Sequence, residues 1–225
     1  MVVWWAVLPY AAVASCVVGH VWRYRRDGFR SFLYGMPFDR AQRFGIGAFR
    51  VGLPIVSGVR IIEAFASGPH SRPEAGIRAV LVIGQLVGVP LTVAGAVLIL
   101  VPPLIAADTR GRVSPLDRMT LPLLAAALMS AILVTFDTNS TDNGYRSAET
   151  LFTWARSVFV LRPDPAVMAH APGLYQARAL IIILIVAVWP YTRLAGILFV
   201  PILRLLRQVA AALNPGPAAP LGGQG

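Results

Sequence analysis

The feature that most constrains this chain is its hydropathy pattern. Five apolar runs lie near 3–22, 44–66, 77–104, 119–138 and 174–200, each with few charges. Each reaches the roughly 20 residues that an α-helix needs to cross about 30 Å of hydrocarbon. In lipid a spanning segment must satisfy its own backbone N–H and C=O groups, so such runs become helices. The expected fold is therefore all-α, an integral membrane bundle of five transmembrane helices over residues 1–213. Composition agrees, since 56% of the residues are hydrophobic and 13% charged, outside the range of an ordinary soluble domain. The first run lacks basic residues ahead of it and ends in Trp22-Arg23-Tyr24-Arg25-Arg26, so it reads as a retained helix and not as a signal peptide.

All 20 basic side chains are Arg, and the formal net charge is +10. Six Arg fall in 23–43, and Arg110, Arg112, Arg118, Arg204 and Arg207 follow the third and fifth runs or precede the fourth. The positive-inside bias places these segments in the cytoplasm and the N-terminus outside. Arg72, Arg78, Arg146, Arg156 and Arg162 fall on the other side, so the asymmetry is moderate. In the connection 139–173, Ala148–Val160 has helical spacing, and Trp154 and Phe159 suit the membrane interface. That segment is expected to cap the outer end of the bundle. Residues 214–225 are uncharged and rich in Pro, Gly and Ala, the composition of a disordered cytoplasmic tail. Pro54 and Pro90 are expected to kink their helices, and Gly84 and Gly88 form a small-residue face for helix packing.

The single cysteine, Cys16, excludes an internal disulfide, a CxxC redox pair and a thiolate-held iron–sulfur cluster. There is no Ser/His/Asp arrangement, no zinc spacing and no phosphate-cradling glycine loop. No active site is expected in the chain itself, and no nucleic-acid partner.

Four short motifs carry a resemblance over nearly the whole chain. They are Trp22-Arg23-Tyr24-Arg25-Arg26-Asp27-Gly28-Phe29-Arg30 at the exit of the first run, Thr109-Arg110 to Asp117, Trp154-Ala155-Arg156-Ser157-Val158, and Pro190-Tyr191-Thr192-Arg193-Leu194. In order and spacing they resemble the gamma subunit of the respiratory nitrate reductase family, a membrane cytochrome b. The last two are similar to that family's W-A-Q-S-V and P-F-S-R-L. The resemblance implies a five-helix subunit of the bacterial inner membrane. It would take electrons from quinol through two b-type haems to an iron–sulfur beta subunit and a molybdenum alpha subunit.

That family grips each haem between a histidine of the second helix and one of the fifth. Here the matched positions hold Arg50 and Arg60 on the second helix and Arg178 and Gly196 on the fifth. A guanidinium offers iron no lone pair and glycine has no side chain. Ligation as in the family is therefore not expected, and haem is not expected in this chain. Three histidines remain. His20 suits a headgroup or capping contact at a helix end, while His70 and His170 flank the second and fifth helices on the outer side and are the alternative ligands.

An arginine within the bilayer costs on the order of 3 kcal/mol and must meet a partner, a ligand or water. Arg50 and Arg60 stand about 15 Å apart in height and about 80° apart in direction, broadly on one face. Glu63 is placed to pair with Arg60, and Asp137 is a second candidate. These arginines either fill the vacated haem volumes, pairing with acids, carbonyls or lipid phosphates, or hold an anionic ligand or a quinone carbonyl.

Three readings of function follow. The first is a haem-free membrane anchor for a nitrate-reductase-type complex, docked through a basic rim of Arg23, Arg25, Arg26, Arg30, Arg110 and Arg112 that also suits anionic lipid. The second is a quinol-oxidising cytochrome with atypical ligation. The third, a small anion transporter, has no inverted repeat or paired broken helices to support it.

Overall fold

The computed structural model describes residues 3–27, 39–67, 74–105, 115–135 and 150–213. Its described elements are helices: α1 (Trp4–Asp27), α2 (Arg40–Ala66), α3 (Ala75–Ile105), α4 (Pro115–Thr135), α5 (Leu151–Phe159), α6 (Pro165–Ala169), α7 (Gly173–Val188) and α8 (Arg193–Leu213), with a 3-10 turn at Trp189–Tyr191 between the last two. Among the described residues, four helices are long and apolar enough to cross a membrane: Trp4–Arg26, Arg40–Ala66, Ala75–Pro102 and Gly173–Tyr191. The fourth apolar run is a helix too, but its apolar stretch, Arg118–Val134, is shorter. At 1.5 Å per residue it reaches about 26 Å, just under the hydrocarbon thickness.

α2 and α3 pair closely because glycines remove the side chains that would hold them apart. A methyl group on Gly95 would sit 2.7 Å from the backbone N of Phe49 and 2.8 Å from the carbonyl of Gly45, and one on Gly52 would sit 2.6 Å from the backbone N of Thr92. Contact at backbone distance is how helices associate where burial from water supplies no drive. Both helices run unbroken through Pro54 and Pro90.

Two buried clusters mark the ends of the bundle. At the end that holds the start of α1, Trp5, Val134, Leu151, Trp154, Met168, Tyr175 and Ala179 pack together. Trp154 stands edge-on to Trp5, with ring centroids 6.0 Å apart, and its indole N–H donates to the Trp5 carbonyl at 3.2 Å. Trp154 is thus a core residue and not the interfacial anchor expected from its loop position: a satisfied N–H lets its large apolar body be buried. Phe159 does remain exposed. At the other end Phe49, Ala96, Ile99, Leu100, Leu194 and Ile197 form the second cluster, with Trp189 against it.

The last apolar run departs most from expectation. A single helix over 174–200 is interrupted at Trp189–Tyr191, and Thr192 is extended, with φ −87° and ψ 160°. Pro190 cannot donate to the ladder, which permits the break. What holds it is α1. Gly19 lets Pro190 approach so closely that a Cβ would lie 2.6 Å from its ring, and the Arg23 guanidinium donates to the carbonyls of Pro190 and Thr192 at 2.7 and 2.6 Å.

Candidate functional site

The four matched positions fall into two pairs at different depths. In the pair nearer the break, Arg50 on α2 faces the first turns of α8. Its Nε–H donates to the carbonyl of Ile197 at 3.0 Å, next to the buried Gly196. The sequence explains why that carbonyl is available. Its helical partner would be the N–H four residues on, but that residue is Pro201, inside α8, which has none. Arg50 therefore answers an acceptor that a proline has orphaned. Around it Phe49, with no exposed surface, lies nearly parallel to Trp189 at 6.3 Å between centroids.

The second pair lies towards the opposite end. Arg60 Nη1 and Glu63 Oε2 form an ion pair of 2.8 Å across one helical turn, the spacing at which side chains on one helix face meet. The same carboxylate oxygen accepts from Gln85 Nε2 on α3 at 3.1 Å. Arg178, on α7, interacts electrostatically with both Arg60 and Glu63. Among the described residues it makes no ion pair or hydrogen bond of its own. Among the described residues, two guanidinium groups and one carboxylate leave this cluster one positive charge in excess. Gln85 was not singled out in the sequence. The signal was there, because it and Thr92 are the uncharged polar side chains in the apolar length of α3, and a buried amide in a membrane helix finds a partner across the interface.

The residues present do not fit a bis-imidazole haem. Arg50 donates its Nε–H to a carbonyl, Arg60 donates from Nη1 to a carboxylate, and no guanidinium donates a lone pair to iron. Among the described residues no group of three or more His, Cys, Asp or Glu could hold a metal ion. His20 sits on α1, with Nδ1 2.8 Å from the Cys16 carbonyl and its ring 4.1 Å from that of Phe199. His170 is exposed at the end of α6, with Nδ1 2.8 Å from the Ala166 carbonyl. His70 and Asp137 lie outside the described residues, as do Arg30, Arg110 and Arg112 of the basic rim. Of the rim residues described, Arg25 and Arg26 are exposed, and Arg26 lies over the Trp22 ring at 5.0 Å. Arg23, grouped with them from sequence, is instead turned onto the break carbonyls.

A bundle of apolar helices, four of them among the described residues long and apolar enough to cross a membrane, defines a helical membrane subunit. The family model for the nitrate reductase gamma subunit matches residues 1–213, and the chain belongs to that family. It is 26% identical over 216 residues to the nitrate reductase gamma chain of Bacillus subtilis (strain 168), covering 90% of this chain and 93% of that one. It is also 30% identical over 218 residues to the nitrate reductase-like protein NarX of Mycobacterium tuberculosis, in strains CDC 1551 / Oshkosh and H37Rv. That match covers 90% of this chain but 32% of NarX, so the chain spans about a third of the length of those relatives.

Proposed function

We propose that this chain is a haem-free membrane anchor of a nitrate-reductase-type complex, crossing the bacterial inner membrane five times with α4 as the fourth crossing. Its N-terminus is outside and its C-terminus cytoplasmic. Its partners in this reading are an iron–sulfur subunit and a molybdenum subunit, and it has no active site of its own. The observation that carries the reading is Arg50. At a position where the family has an axial histidine, its side chain performs a structural task created by Pro201, a residue on the facing helix. A side chain placed there only by drift would have no such acceptor waiting.

The outer pair supports the same reading in another way. Arg60 is paired with Glu63, whose carboxylate also accepts from Gln85 of α3, so the Arg60 charge is met by a protein carboxylate. Family membership keeps one competitor in play, a quinol-oxidising cytochrome ligated elsewhere. The two separate on haem content. The complex is purified through a tag on this chain, and haem b is counted by pyridine haemochrome. The anchor reading expects no haem assignable to this chain, with molybdenum and iron–sulfur subunits co-purifying. Stoichiometric haem retained by this chain alone overturns it.

A further inference from the structure

We infer that the turn closing α5, Phe159-Val160-Leu161, dips into the membrane leaflet at the end of the bundle that holds the start of α1, with lipid hydrocarbon as its partner. This stands on the placement of α5 and is independent of whether haem is bound.

The first argument is the build of the turn. Its three consecutive large apolar side chains are 66%, 64% and 76% exposed, where a turn facing water would carry polar residues. Leu161 sits in the left-handed region with φ 61°, the helix-closing position that glycine takes without strain. A large apolar side chain is thus held outward on a backbone that works against it. The backbone itself is ready for hydrocarbon, where polar groups must be satisfied within the protein. The N–H groups of Val160, Leu161 and Arg162 donate to the carbonyls of Arg156, Val158 and Ser157 at 2.9, 3.1 and 2.9 Å. The Asp164 N–H then donates to Ser157 Oγ at 3.0 Å, which ties the chain leaving the turn back onto α5.

The second argument is depth and continuity. Trp154, in the middle of α5, donates to the carbonyl of Trp5 in the first turn of α1. The Val158 carbonyl, at the end of α5, accepts from the Tyr10 hydroxyl at 3.0 Å. Tyr10 is five residues further along α1, about 7 Å of rise, part of which its side chain spans by leaning back toward the helix start. The end of α5 therefore lies deeper along α1 than its middle, beside a helix long and apolar enough to cross a membrane. On its other side the turn meets a second such helix, because the Phe159 ring packs on that of Phe65 of α2 at 6.1 Å between centroids. Phe65 belongs to a flank of α2 with Ile61 and Ile62, all 51–54% exposed. That flank is centred about 120° around α2 from Ile55, Val56 and Val59, the side chains that meet the glycines of α3. The exposed flank of a spanning helix meets hydrocarbon, and the Phe65–Phe159 contact joins the turn to it.

The test is spin-label accessibility in the full chain. In a Cys16→Ser background, Phe159→Cys, Val160→Cys and Leu161→Cys are made one at a time. Ile62→Cys on the exposed flank of α2 is the lipid reference, and Thr153→Cys, on the face of α5 opposite its buried side, is the polar one. Each is labelled with a nitroxide and reconstituted in phosphatidylcholine vesicles. Accessibility is then read against oxygen, which partitions into lipid, and a water-soluble nickel chelate. The inference expects oxygen-to-nickel ratios at 160 and 161 that are several-fold above that at 153 and nearer to that at 62. Ratios at or below that at 153 mean that the turn stands in water and overturn the inference. So does shielding of 160 and 161 from both reagents, which would mean that a second copy or another protein covers the turn. Three positions report the turn independently, so the loss of one variant leaves the pattern readable.

Discussion

The two matched pairs of positions share α2 but part at the break, with Arg178 on α7 and Gly196 on α8, and their surroundings differ. Near the break, Arg50 donates to a neutral carbonyl, among rings and fully buried aliphatic side chains. Towards the other end, Arg60 is neutralised by Glu63, Gln85 braces the carboxylate, and Arg178 adds a charge with no carboxylate of its own among the described residues. The first keeps its guanidinium charge among apolar groups, with one N–H given to a carbonyl. The second has a carboxylate and an amide beside its two guanidinium groups, so it is the more polar of the two. On the proposed haem-free reading, two similar positions in one fold need not be refilled in one way, because each depth offers its own acceptors.

The comparison can be broken most severely at the helix contact. Gly95→Ala, near the break, drives a methyl group into the backbone of α2 and is expected to cost about 3 kcal/mol or more, since overpacking against backbone cannot be relieved by a rotamer. Gly84→Ala, at the other end, meets side chains and no backbone, with Val59 Cγ2 nearest at 2.6 Å, and is expected to cost less, about 1 kcal/mol. Thermal unfolding in detergent distinguishes them, and equal losses would mean that the two halves are packed alike.

Next in size is Glu63→Gln, which leaves Arg60 and Arg178 facing one another without a carboxylate. A loss of about 2–3 kcal/mol is expected, from a charged group stripped of its partner. The loss is largest at low salt, and an unchanged midpoint would show that water or lipid already screens the pair.

Arg50→Met is expected to cost about 1–2 kcal/mol, the penalty of an unsatisfied buried carbonyl. The sharper form is a double-mutant cycle. Pro201→Ala restores an N–H to Ile197, so it is expected to recover most of the Arg50→Met loss while changing the parent little. Strict additivity would mean that Arg50 does not act through that carbonyl.

A fourth comparison asks what each volume can still accept. Arg60→His with Arg178→His is expected to recover some b-type haem when the chain is expressed in a haem-replete host. Arg50→His with Gly196→His is expected to recover less, because Phe49 and Trp189 close that site. Haem per protein by haemochrome ranks them, and the reverse order would reassign which site has closed.

The helices were legible in the sequence because an apolar run of spanning length leaves the backbone no alternative. The pair Arg60 and Glu63 could be named from helix spacing alone. The break after Val188 was harder, since Pro190 marks a place where a helix can stop but not whether it does. The decision belongs to Gly19 and Arg23, about 170 residues away in sequence, which supply close packing and donors for the freed carbonyls. Trp154 was misplaced for a similar reason, because only the fold brings the Trp5 carbonyl to its indole. The task of Arg50 was hidden in Pro201, whose missing N–H matters only once α8 faces α2.

The most direct measurement of the central claim is the reduced-minus-oxidised absorption spectrum, with a pyridine haemochrome count, of the complex isolated through this chain. The account predicts no b-type haem attributable to this subunit, with the soluble subunits still attached. A stoichiometric b-type signal that stays with this chain after the soluble subunits are removed would contradict it.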